Sequence, residues 1–130
     1  IEHVENPTNF LNGIFKILKK GGILILSTPN LNDFMIKVSN EYKEFFYRIV
    51  HRWYFNEKSI EFCIKQTGFK LLSIRFLQKY PLSNSLLWLR DKSPNGFKKI
   101  NGINHNADNF WKGYLEDSGQ ADTMFIILQK

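Results

Sequence analysis

The first thirty residues, IEHVENPTNFLNGIFKILKKGGILILSTPN, constrain the fold more than any other stretch of the chain. They read as the end of a strand, a helix, a two-glycine stop, a buried strand and a turn. Asn6 suits a helix N-cap, with Pro7 at the first helical position, where a missing N–H costs nothing. Phe10, Leu11, Ile14, Phe15, Ile17 and Leu18 form one apolar stripe at helical spacing. Lys16, Lys19 and Lys20 lie off that stripe, and the last two favour the negative end of the helix dipole. Gly21 or Gly22 supplies the left-handed residue that stops the helix. Ile23, Leu24, Ile25 and Leu26 follow without alternation, as expected of a strand covered on both faces. This is half of an α/β crossover unit. The chain reads as entering that unit midway, as a fragment or trimmed product that starts on Ile rather than Met.

The remaining pattern continues the α/β reading. Leu31, Phe34, Met35, Val38, Tyr42, Phe45, Phe46 and Ile49 recur at three- and four-residue steps and predict one amphipathic helix over 32–50. That helix either covers the sheet or closes over a site, since ligands in open α/β sheets bind beyond the C-terminal ends of strands. The aromatic and basic run His51-Arg52-Trp53-Tyr54-Phe55 comes next; it either staples the following helix or lines a pocket. Asn56 or Ser59 caps a helix over 57–67, with Ile60, Cys63 and Ile64 inward and Gly68 closing it. Residues 70–77 read as a partly exposed strand near an edge. Pro81 and Ser83 introduce a short apolar helix around Leu86–Leu89, and Lys92–Gly96 is a turn by composition. A helix over 107–117 ends at Gly119. Thr123 to Leu128 is a final strand whose continuous apolar run places it between two others.

A 130-residue chain with 43% hydrophobic residues supports one domain, residues 1–130, with a modest core. Net charge is +6, but the Lys and Arg are spread along the chain, so no nucleic-acid partner is expected. The single cysteine, Cys63, excludes an internal disulfide and fits a reducing, cytoplasmic setting. No stretch reaches the length of a membrane span. One cysteine and three histidines do not make a zinc site at the usual spacings, and no metal is assigned. There is also no P-loop and no Gly-x-Ser-x-Gly.

One family resemblance gathers these pieces. Glu2-His3-Val4, Asn6-Pro7, Phe10-Leu11, Leu18-Lys19-Lys20-Gly21-Gly22 and Ser27-Thr28-Pro29-Asn30 stand in the order and spacing of class I S-adenosylmethionine-dependent methyltransferases. His51, Phe55, Gly68 and Phe69 continue the resemblance, as does Ala121-Asp122-Thr123 before the last strand. The resemblance is to the C-terminal half only of this Rossmann-like fold. It implies a mixed sheet whose last strand runs antiparallel between its neighbours, and a variable insertion at 80–106 that either shapes the acceptor site or covers the sheet edge. The glycine-rich loop and the ribose-binding acid, which make most of the family's cofactor contacts, are not in this sequence.

The implied function is methyl transfer from S-adenosylmethionine to a small-molecule acceptor. The parent protein would perform it, while the isolated chain is expected to be inactive, to bind the cofactor poorly and to self-associate through an exposed sheet edge. The alternative is a non-catalytic interaction module derived from a methyltransferase half. Glu2, His3 and Val4 would lie beside the cofactor, with His3 as a base. Some methyltransferases of ubiquinone biosynthesis hold a divalent metal on a Glu-x-x-Glu-His pattern whose last two positions Glu2 and His3 would match. Glu2 and His3 could equally do no more than cap a strand end. Asn30, His51, Trp53 and Tyr54 are the candidates for acceptor contact.

Overall fold

A computed structural model describes residues 1–130. Six helices and three strands follow in the order α1 (Pro7–Ile17), β1 (Ile23–Pro29), α2 (Phe34–Val38), α3 (Asn40–Phe46), α4 (Glu57–Lys65), β2 (Lys70–Leu77), α5 (Leu82–Asp91), α6 (His105–Asp117) and β3 (Thr123–Gln129). The sheet order is β1-β3-β2. The Lys130 N–H donates to Gly22 O and the Gly21 N–H to Lys130 O, so β3 runs antiparallel to β1. The last strand therefore lies between the other two, as its apolar run requires. Met124, Ile126 and Leu128 are fully buried on it. None of the helices is long and apolar enough to cross a membrane.

The chain divides into two compact units. The first comprises residues 1–31, 49–75 and 124–130. Asn6 caps α1 by accepting from the Asn9 N–H at 2.9 Å, and Pro7 takes the first helical position. Leu11 is buried without remainder. Asn56 and Ser59 form a reciprocal capping box at the start of α4, which turns Ile60 and Ile64 inward. The Phe15 ring meets Phe69 edge-on, with centroids 5.0 Å apart. Phe15 also fills the space where a Cβ on Gly68 would stand, so Gly68 is there for close approach.

The second unit comprises residues 32–48 and 76–123. Met35, Phe46, Leu87, Trp88, Leu115 and Ala121 are its buried apolar residues. Tyr42 and Phe45 both pack on Trp88, at 5.1 Å between centroids in each case. Buried polar side chains tie its loops. The Asp122 carboxylate accepts from the N–H groups of Lys79 and Tyr80 and from the Thr123 hydroxyl. Gln78 accepts from the Asp122 N–H, and the Ser83 hydroxyl accepts from the Ile100 N–H.

Five local expectations are corrected. Residues 1–5 are a turn, not a strand end, and their backbone pairs with residues 52 and 53 instead of a neighbouring strand. Helix α1 ends at an extended Leu18; Gly21, at φ 77°, shapes the turn that follows. Likewise Gln66, not Gly68, caps α4. Strand β1 is not covered on both faces: Ile23 is 47% and Ile25 61% exposed, while Leu24 and Leu26 are half-buried. The helix expected over 32–50 is two helices. Ser39 is extended (φ −138°, ψ 119°), ends α2, and accepts from the Tyr42 N–H to start α3. Its hydroxyl offers the backbone an alternative to continuing the helix, and the apolar period runs through the break without registering it. In addition, the apolar helix expected around Leu86–Leu89 extends over ten residues, Leu82–Asp91, within the stretch read as an insertion.

Candidate active site at the end of β1

Strand β1 ends at Pro29, and the residues around that end belong to three segments of the first unit. Asn30, fully buried, forms a parallel bridge with Phe55, and the Leu31 N–H donates to Phe55 O at 2.8 Å. The 51–55 segment is thereby fastened to the strand's exit. The 1–5 turn is laced onto the same segment. Glu2 O accepts from the N–H groups of Arg52 (2.9 Å) and Trp53 (3.2 Å), and the Trp53 indole donates to Val4 O at 3.0 Å.

These backbone ties bring the side chains together. The imidazole rings of His3 and His51 meet at 4.9 Å between centroids, and His51 meets the Tyr54 ring at 5.8 Å. The His3 Nδ1 donates to Val50 O at 2.9 Å, since a carbonyl can only accept. That leaves the His3 Nε2 directed to the other side, 3.7 Å from a Glu2 carboxylate oxygen. Burial of Glu2 works against its ionisation. Even so, its own backbone N–H helps to hold its carboxyl below the usual range. Glu2 is thus an anion at neutral pH, set in a partly buried position beside two imidazoles.

A cavity of about 450 Å³ adjoins this cluster, lined by Pro7, Trp53, Tyr54, Phe55, Phe62 and Cys63 among others. Burial raises the pKa of the Cys63 thiol, which makes it a poor nucleophile and a fitting wall residue.

The amino-acid sequence therefore pointed to one place. Glu2, His3, Val4, Asn30, His51, Trp53 and Tyr54 all fall on the connected segments 1–5, 30–31 and 51–55. The direct approach of His51 to His3 was not foreseen, because residues 48 positions apart are joined only by the folded backbone. His105 is exposed at the start of α6 and takes no part in the cluster.

Comparison with known proteins bears on this arrangement. A family profile described as a methyltransferase domain matches residues 1–74, more than half the chain and all of the segments just described. The chain belongs to this methyltransferase domain family. In three dimensions it is similar to the crystal structure of a SAM dependent methyltransferase from Archaeoglobus fulgidus, with a TM-score of 0.56 and 14% identity. The superposition covers 99% of this chain and 55% of that one, so the methyltransferase domain described here spans little more than half the length of that relative. No curated protein matches the sequence. The fold is that of a methyltransferase part, with the antiparallel last strand in its expected place.

Proposed function

We propose that these residues are the acceptor side of an S-adenosylmethionine-dependent methyltransferase site, acting on a small molecule. One observation carries the reading: the Glu2–Val4 turn and the His51–Tyr54 segment converge at the C-terminal end of β1, within the stretch that matches the family. The donor set suits the cofactor, because an ionised, partly buried Glu2 favours a cationic sulfonium or ammonium group nearby. Glu2, His3 and Val4 would line one side of it. When bound, S-adenosylmethionine supplies a methyl group already activated for transfer.

The chain's own part is positioning and proton handling. Trp53 and Tyr54 offer flat apolar walls to an acceptor, and Asn30 holds the wall segment against the strand. His3 is the base: with its Nδ1 proton committed to Val50 O, its Nε2 is the ring nitrogen left to take the acceptor's proton as the methyl group arrives. In the intact protein, His3→Ala should lower methyl transfer more than Lys98→Ala, which lies in the irregular stretch between α5 and α6. Equal turnover by the two folded variants would remove His3 from the reaction. Cofactor binding without turnover on any small-molecule acceptor would favour the interaction-module alternative.

A further inference from the structure

We propose that Glu2, His3 and His51 form a binding site for a borderline divalent cation such as Zn²⁺, Ni²⁺ or Co²⁺. One carboxylate oxygen and one ring nitrogen from each histidine lie within 4.8 Å of one another. These donors come from two segments locked together by the Arg52 and Trp53 N–H bonds to Glu2 O, so their approach is a property of the backbone and not of one flexible loop. The His3 hydrogen bond is the second, independent pointer. Its Nδ1–H is given to Val50 O, which leaves Nε2, on the Glu2 side of the ring, as the nitrogen available to a metal. Ligating histidines are commonly oriented in this way, by donating the other ring N–H to a carbonyl or carboxylate.

The donor set also selects the ion. Two imidazoles with one carboxylate favour borderline transition ions over Mg²⁺, which prefers oxygen ligands and retains its water. At metal–ligand distances of about 2.0–2.1 Å the donors must stand roughly 3.3 Å apart. The exposed His3 side chain has room to close that gap. Three protein ligands leave at least one position open to an external oxygen or nitrogen donor. A coordinated His3 Nε2 cannot accept a proton, so the cation and the acceptor's proton compete for one lone pair. The site thus goes beyond the methyl-transfer reading and is testable without cofactor or acceptor.

The test is a calorimetric titration of the purified protein with Zn²⁺ alone, repeated with Mg²⁺, with Co²⁺ visible absorption as a second readout. Saturable binding of one Zn²⁺ is expected, with no comparable binding of Mg²⁺ and a tetrahedral or five-coordinate Co²⁺ spectrum. His3→Ala and His51→Ala should each weaken binding by more than about tenfold, the loss that even an outer-shell partner can cause. His105→Ala, on α6, should leave it unchanged. Circular dichroism checks that each variant keeps its fold. If His51→Ala does not fold, His3→Ala decides the matter, because His3 is exposed and dispensable to the core. No saturable Zn²⁺ binding, or equal affinity in wild type and folded His3→Ala, overturns the site. Neither result would touch the methyl-transfer reading, which the His3→Ala turnover measurement decides separately.

Discussion

The two compact units are held by different means. The first relies on apolar burial, with Leu11, Phe55, Ile60, Ile64, Phe69, Met124, Ile126 and Leu128 shut away from water and only Thr28 and Asn30 as buried polar residues. The second buries Asp33, Ser39, Gln78, Ser83, Asn84, Ser85, Asp122 and Thr123 alongside a smaller apolar set. Apolar burial is non-directional and survives small errors of register. A buried carboxylate that holds two backbone N–H groups is directional, and its loss leaves those donors without the acceptor the fold provides. The contrast teaches that the first unit should lose stability smoothly with side-chain volume, while the second should depend on particular oxygen atoms and on pH.

The largest effect should come from the first unit. Ile126→Ala on the central strand should cost about 2–5 kcal/mol, and Ile126→Val about 0.5–1.5 kcal/mol, in chemical denaturation. A loss for the Val variant as large as for Ala would mean that β3 is held by shape and not by volume. Next in size is Asp122→Ala, which strands the N–H groups of Lys79 and Tyr80 and should cost about 2–3 kcal/mol. Asp122→Asn keeps an acceptor oxygen and should lose much less. If the two variants were equally unstable, the charge and not the hydrogen bonding would be what the second unit uses.

The acid response separates the units further. Burial pushes the Asp33 carboxyl up to about 6, against the opposing effect of hydrogen bonds from the Tyr42 hydroxyl (2.6 Å) and the Met35 N–H (2.8 Å). Burial raises Asp122 as well. A folded-state pKa above the unfolded value means that the folded state binds more protons in the window between them. Stability due to Asp33 therefore falls as pH rises from about 4 to about 6, by on the order of 2 kcal/mol. Glu2, held below the usual range, has the opposite sign: its contribution is present above the unfolded value and is lost as pH falls. Asp33→Asn keeps one acceptor oxygen, for the Met35 N–H, and sets an amide N–H before the Tyr42 hydroxyl, which can accept in its place; it should flatten the fall between pH 4 and 6 while leaving the acid limb in place. An unchanged profile in that variant, followed by denaturation at successive pH values, would reassign the dependence to other groups.

The smallest expected effect is at Ser39. Ser39→Ala removes the α3 cap and should cost about 1 kcal/mol. A gain in helical circular dichroism with no loss of stability would show instead that 34–46 becomes one helix once the cap is gone.

This contrast also explains what was legible in the sequence. The start of α1 was read to the residue because Asn6 and Pro7 carry local signals pointing the same way, whereas its end, placed at the glycines, comes at Leu18. Strand β3 was legible for the same reason, through an unbroken run that only a flanked strand buries. The 32–50 helix was misread because apolar spacing is indifferent to a capping hydroxyl. Whether Ser39 caps or sits in a helix interior depends on partners that the sequence does not bring near. Ile23 and Ile25 are exposed on a strand at the edge of the sheet, in keeping with the exposed edge expected of this half of the fold, although the unalternating run by itself reads as covered on both faces. At the site, the residue types of Glu2, His3 and His51 were visible, and the resemblance to a family supplied their neighbourhood. Their meeting depends on Arg52 and Trp53 donating to Glu2 O, which no spacing rule encodes.

The central claim is that the 1–5 turn and the 51–55 segment form one ligand site at the end of β1. The most direct measurement is a backbone amide NMR titration of the intact protein with S-adenosylhomocysteine, which carries the cofactor's frame without the methyl group. The account predicts shifts among Glu2–Val4 and Asn30, extending to His51–Tyr54 when an acceptor is added, with Asn109–Tyr114 on α6 unmoved. Shifts confined to residues 80–117, with the Glu2–Val4 and His51–Tyr54 amides silent, would contradict it.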